Sequence, residues 1–161
     1  DKTGSLISAA CQVGPLSLDL EDEFVQPLAR YGELVGVAFQ IRDDLLDLGD
    51  GSKRIGKPIG LDLGQAKITL PLLYTLEQLN EGQRRQVIRT LRKAKKRDKK
   101  GKTTDLREIV DLIHEQGGIK YARDVAYDYA VRAGEALAPL PDTEYRRQLE
   151  QFAIFAAIRD K

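Results

Sequence analysis

The sequence predicts an all-α fold, a helical bundle of about seven helices, on three observations. Apolar residues recur three and four positions apart along most of the chain, and no stretch alternates as a half-buried strand would. The composition is rich in Leu, Ala and Ile, with six Tyr, four Phe and no Trp, which suits helices packed on helices. Gly14-Pro15, Gly117-Gly118, and Pro139 with Pro141, fall between the periodic segments and mark where helices stop. At 161 residues the chain is long enough to bury a core, as one domain or as part of a larger one.

Taken in order, Lys2 to Val13 has small and apolar residues at helical spacing, and Gly14-Pro15 is expected to end it. Thr3 reads as its cap. Ser17 to Glu23 is acidic, as suits a helix start, where exposed N–H groups carry partial positive charge. The helix that follows is expected to run to about Leu48, with Pro27 near its first turn or kinking it, and to bury Tyr31, Leu34, Val35, Ala38 and Phe39. Gly32 and Gly36 share one face and permit close approach of a neighbouring helix. Gln65 to Leu79 reads as another helix, kinked or late to start at Pro71, with Lys67 just inside its first turn. Glu81 to Arg97 is amphipathic, with Val87, Ile88 and Leu91 facing inward. A short helix over Thr104 to Gln116 is capped by Thr103 or Thr104 and carries His114 on its surface. Ile119 to Leu137 bears the stripe Tyr121, Ala122, Val125, Ala126, Tyr129 and Ala133, and the last helix starts from a cap at Asp142 or Thr143.

The chemistry is concentrated in FQIRDDLLDLGDGSKRIGKPIGLDLGQAK, Phe39 to Lys67. Leu45, Leu46 and Leu48 set a helical pattern around Asp43, Asp44 and Asp47, so Asp43 and Asp47 project side by side, with Asp44 three residues from Asp47. Gln40 precedes them by one turn on the same side. Like charges at this spacing repel by about a few tenths of a kcal/mol. A cation facing the carboxylates reverses the sign, and the hard, oxygen-seeking choice is magnesium. Gly49, Gly51, Gly56, Gly60 and Gly64 allow the following loop to pass close to a ligand, while Lys53, Lys57 and Lys67 offer point charges to phosphate oxygens. A lysine in the first turn of a helix is poorly placed unless an anion sits there. A solvated helix end accounts for the acids alone but not for the apolar lead-in and the spaced lysines.

The order FQxxDDxxD, then GKPxGxDxxxxKxTxPLLY, resembles the second aspartate-rich region of the trans-isoprenyl diphosphate synthases, the polyprenyl synthetase family. The likeness is dense over Phe39 to Tyr74 and collinear from Lys2 to the C-terminus. It implies the C-terminal half of the isoprenoid synthase fold, residues 1–161 being the C-terminal part of a polyprenyl synthetase domain without the N-terminal half and its first aspartate-rich motif. The implied reaction condenses isopentenyl diphosphate with an allylic prenyl diphosphate and releases pyrophosphate, with Mg2+ as cofactor. By resemblance Asp43, Asp44 and Asp47 hold the metal; Lys2, Thr3, Gln40, Lys57 and Lys67 bind the allylic substrate; and Lys57 and Lys67 are the catalytic lysines. Asp62 is expected to orient Lys57 or a metal-bound water. The complete protein is expected to be a homodimer, and the 161-residue chain alone to be inactive. A non-catalytic partner subunit and a helical interaction module are the rival readings.

Composition narrows the rest. The one cysteine, Cys11, rules out an intrachain disulfide and points to a reducing, cytoplasmic compartment. The one histidine, His114, cannot build a zinc site alone. No apolar run approaches the roughly 18 residues of a spanning helix. With no Met in the sequence, an N-terminal part is expected to be missing. From Arg84 to Lys102 eleven Lys or Arg face a single acid, Asp98, a local charge of +10 in a chain of net +1. No aromatic interrupts that block, which argues against nucleic acid and leaves a solvated surface or, at most, peripheral contact with a membrane.

Overall fold

The computed structural model describes residues 2–49, 61–98 and 104–159. Its described residues form eight helices: α1 (Lys2–Ser17), α2 (Asp22–Asp47), α3 (Leu61–Gly64), α4 (Leu70–Gln78), α5 (Glu81–Asp98), α6 (Arg107–Glu115), α7 (Gly118–Ala136) and α8 (Glu144–Ile158). The all-α expectation stands, with one helix more than predicted, the four-residue α3. The chain divides into two units: Asp1–Arg42 with Arg123–Arg159, and Asp43–Ala122 with Asp160–Lys161.

In the first unit, glycine brings α1 and α2 together. A Cβ on Gly32 would lie 2.6 Å from the Cα of Ser8, and one on Gly36 would run into the Cα of Gly4. Backbone thus packs against backbone, and the Ser8 hydroxyl donates to the Ala29 carbonyl at 2.9 Å across the same contact. Tyr31, Leu34, Val35 and Ala38 of α2 are buried as predicted, together with the alanines 126, 130 and 133 of α7 and 153, 156 and 157 of α8. The Tyr31 hydroxyl reaches the Leu149 carbonyl at 2.7 Å, so the buried phenol is satisfied. Thr143 caps α8, its hydroxyl accepting from the Arg146 N–H at 3.2 Å. Two expectations fail here. Gly14-Pro15 does not end α1, which continues to Ser17, because a proline in the last turn forfeits only one hydrogen bond while its carbonyl still accepts from Leu18 and Leu20. Phe39, expected to be buried, is only half-buried, with the Arg159 guanidinium over its ring at 4.1 Å, while Arg42 is 4% exposed and its Nε donates to the Arg159 carbonyl at 2.6 Å.

In the second unit, α3 packs on α5 and α4 on α6. Helix α4 starts late, at Leu70, with Pro71 in its first turn, where the missing N–H is one that no helix could satisfy. Lys67 therefore lies in the connector before α4, not inside the helix. Helix α6 begins at Arg107 and is not capped by Thr104; Asp105 accepts the Arg107 N–H at 3.0 Å instead, and Thr103 lies outside the described residues. Gly117, at φ 79°, follows α6 in the left-handed conformation that glycine adopts without penalty. Gly118 then opens α7 against α4, since a Cβ there would meet the Pro71 carbonyl oxygen at 2.5 Å. Next to it Tyr121 stacks on Tyr74, ring centroids 4.3 Å apart, and so stays partly exposed rather than joining the buried stripe. No described helix is long and apolar enough to cross a membrane.

Candidate functional site

The last turns of α2 are held by Leu45, Leu46 and Leu48, all buried, which leaves Asp43, Asp44 and Asp47 half-buried. Gly49 ends the helix at φ 84°. Beyond residues 50–60, which lie outside the described residues together with Lys53 and Lys57, the chain returns to the acids. The Asp62 N–H donates to Asp47 Oδ2 at 3.0 Å, so Asp47 caps the short helix α3. After α3 the chain turns sharply: the Ala66 N–H bonds to the Leu63 carbonyl and the Lys67 N–H to the Asp62 carbonyl, both at 2.9 Å. Ala66 sits at φ 53°, a left-handed conformation that costs a residue with a Cβ about 1 kcal/mol or more. This turn sends Lys67 back over α3, where its Nζ donates to Asp62 Oδ1 at 2.5 Å.

The pair with Asp62 raises the Lys67 pKa above the ordinary lysine value, first through the hydrogen bond and then through charge, and Asp44 and Asp47 push in the same direction. Lys67 is thus a protonated ammonium paired with Asp62. Asp62, expected to orient Lys57 or a water, has Lys67 as its partner among the described residues. An ammonium has three donors, so the bond to Asp62 leaves capacity for an anion.

The oxygen donors of α2 suit a hard cation. Among the described residues no group of three or more His, Cys, Asp or Glu is arranged to hold a metal ion.

In the first unit, Thr3 and Gln40, predicted to bind one ligand, are in contact: the Thr3 hydroxyl donates to Gln40 Oε1 at 3.2 Å. Lys2 is exposed at the start of α1. Two features escaped sequence reasoning. One is the clasp of Asp47, Asp62 and Lys67, which depends on a turn with no glycine at its left-handed position. The other is Thr69, 6% exposed, whose hydroxyl makes no hydrogen bond among the described residues. Its place two residues after Lys67 was a signal, but only burial distinguishes it from an exposed cap.

A profile of the family described as Polyprenyl synthetase matches residues 1–113. The nonaprenyl diphosphate synthase of Mycobacterium tuberculosis is 36% identical over 159 residues, covering 99% of this chain and 46% of the relative. The heptaprenyl diphosphate synthase component 2 of Geobacillus stearothermophilus is 32% identical, covering 99% and 47%. A crystal structure of polyprenyl synthase from Caulobacter crescentus, complexed with calcium and isoprenyl diphosphate, superposes with a TM-score of 0.85 at 32% identity, covering 99% of this chain and 47% of that one. The chain spans about half the length of the curated relatives it matches. With the family profile covering most of its residues and the fold matching throughout, this chain belongs to the polyprenyl synthetase family.

Proposed function

We propose that this chain supplies the allylic diphosphate and metal half of a trans-prenyltransferase that joins isopentenyl diphosphate to an allylic prenyl diphosphate and releases pyrophosphate. The observation that carries the reading is the clasp in which Asp47 caps α3 and Lys67, with Asp44 and Asp47 nearby, is held protonated by Asp62. Residues 1–161 correspond on this reading to the C-terminal part of the domain, and turnover needs the first aspartate-rich motif on the remainder. The whole enzyme is a cytoplasmic homodimer.

Asp44 and Asp47, with Asp43, would hold Mg2+, which when bound would supply positive charge to offset the negative charge that builds on the leaving group. Lys67 turns its remaining N–H donors to the diphosphate oxygens, and Lys57 is assigned the same task. Because both are cations, each bond strengthens as the leaving group gains charge. Gln40, whose carbonyl oxygen accepts from Thr3, directs its amide N–H groups to the diphosphate, while Lys2 adds charge at the start of α1. Thr69 offers a buried hydroxyl beside Lys67.

A second reading, a partner subunit of a heteromeric synthase, draws on the likeness to a protein named as component 2 of a heptaprenyl diphosphate synthase. The complete set of Asp43, Asp44, Asp47 and Lys67 favours the first, since a subunit relieved of catalysis has no need to keep acids that repel one another.

Calorimetry of pyrophosphate binding with and without magnesium tests the proposal. Affinity should rise at least about tenfold with the metal, about 1.4 kcal/mol, and Asp47→Ala should abolish that gain while Asp22→Ala, at the far end of α2, leaves it. An affinity indifferent to magnesium, in a chain of normal helix content, overturns the proposal.

A further inference from the structure

Helix α5 has three sides. Val87, Leu91 and Ala94 are buried. Beside them Gln83, Gln86 and Thr90 line a 370 Å³ cleft whose opposite wall carries Glu108 and Asp111 of α6. On the third side, within about 100° of the helix circumference at 3.6 residues per turn, lie Arg85, Arg89, Arg92, Lys93 and Lys96, all exposed. Arg85 pairs with Glu81. Arg89, Arg92, Lys93 and Lys96 make no ion pair among the described residues. Glu108 and Asp111 line the cleft with Gln83, Gln86 and Thr90, and they make no ion pair with the basic side of α5 among the described residues.

We infer that the basic side of α5 docks on the anionic surface of a lipid bilayer. Charge complementarity carries the inference: positive charges along one convex helix face, in a chain of net charge +1, concentrate the field in one direction. The apolar side of α5 is already spent on the protein core, so the contact is adsorption to headgroups and not insertion of an amphipathic helix. Helix α5 has no aromatic residue on which bases could stack and its basic side is not a groove, which favours the flat lipid surface over nucleic acid. The same helix packs on α3, the element that carries Asp62. Adsorption would therefore hold the candidate site near the bilayer, and the use of this rests on the prenyl diphosphate reading above: a product with a long hydrocarbon tail leaves water for the membrane.

Co-sedimentation of the 161-residue chain with phosphatidylcholine vesicles, plain or containing roughly one-third phosphatidylglycerol, is the test. Binding is expected only to the anionic vesicles and should weaken at least about tenfold between roughly 50 and 500 mM salt. Replacing Arg85, Arg89, Arg92, Lys93 and Lys96 by Gln should weaken it about a hundredfold, with magnesium-dependent pyrophosphate binding retained. Equal binding to neutral vesicles, no loss with salt, an unaffected variant, or tighter binding to a single-stranded oligonucleotide than to the vesicles at the same salt overturns the inference. Should the variant not fold, the salt series and the neutral vesicles decide it. Failure of the parent chain to bind anionic vesicles, with its pyrophosphate coupling intact, sinks this inference alone, and vesicle binding by a parent chain that lacks the coupling sinks the functional reading alone.

Discussion

The contact of α1 with α2 and the turn after α3 treat the smallest residues in opposite ways. Where α1 meets α2, glycine stands at Gly32 and Gly36 because the neighbouring backbone occupies the space a Cβ needs. In the turn after α3, alanine stands at Ala66 although φ 53° would suit glycine better. The first pattern lowers the energy of the fold; the second raises it slightly in order to bring Lys67 onto Asp62. The polar contacts differ in the same way. Thr3 and Gln40 share a neutral hydrogen bond between two helices locked by packing, whereas Asp47, Asp62 and Lys67 are joined by charged bonds through a four-residue helix. Packing positions the one and electrostatics the other, so the second is the more responsive to a charged ligand.

The largest effect that would sharpen this contrast lies in the packed unit. Gly36→Val places a branched side chain against the Gly4 backbone and should destabilise the fold by about 3 kcal/mol or more, read as a lower denaturant midpoint. A midpoint within error of the parent would mean that the α1 and α2 crossing is not held by backbone contact.

The charged cluster should respond in binding rather than stability. Lys67→Ala is expected to weaken pyrophosphate affinity ten- to a hundredfold, since a charged hydrogen bond is worth about 1.5 to 3 kcal/mol; Thr3→Val should cost no more than about 1 kcal/mol. Equal losses in calorimetry would erase the distinction between the clusters. The pH dependence has a definite sign. With its pKa raised above the ordinary 10.5, the pair of Lys67 with Asp62 contributes fully below that value and is lost only as pH rises through the higher one. It should therefore leave stability flat across the neutral range.

The smallest effect concerns Ala66. Ala66→Gly relieves the left-handed strain but adds freedom to the unfolded chain, so the net stability gain should stay below about 1 kcal/mol, while the loosened turn weakens pyrophosphate binding severalfold. A variant that binds better would show that the strained turn does not aim Lys67.

The periodicity of the chain determined a good deal. The helical class, the long acidic-ended α2, its buried face of Tyr31, Leu34, Val35 and Ala38, the glycine contact and a cap at Asp142 or Thr143 were all legible, because each follows from side-chain spacing or from one residue's local chemistry. Order and spacing from Phe39 to Tyr74 were enough to name the family. Tertiary structure decided what depends on partners distant in sequence. Arg42 is buried because the Arg159 carbonyl waits 117 residues away to accept its Nε–H. Lys67 meets Asp62 because a turn outside any helix reverses the chain, a conformation that an alanine does not announce. Local sequence reports the intrinsic preference of a segment, but it is the free energy of the whole packed chain that places a buried arginine or a left-handed alanine, and the contacts that offset their cost are visible only once the helices have come together.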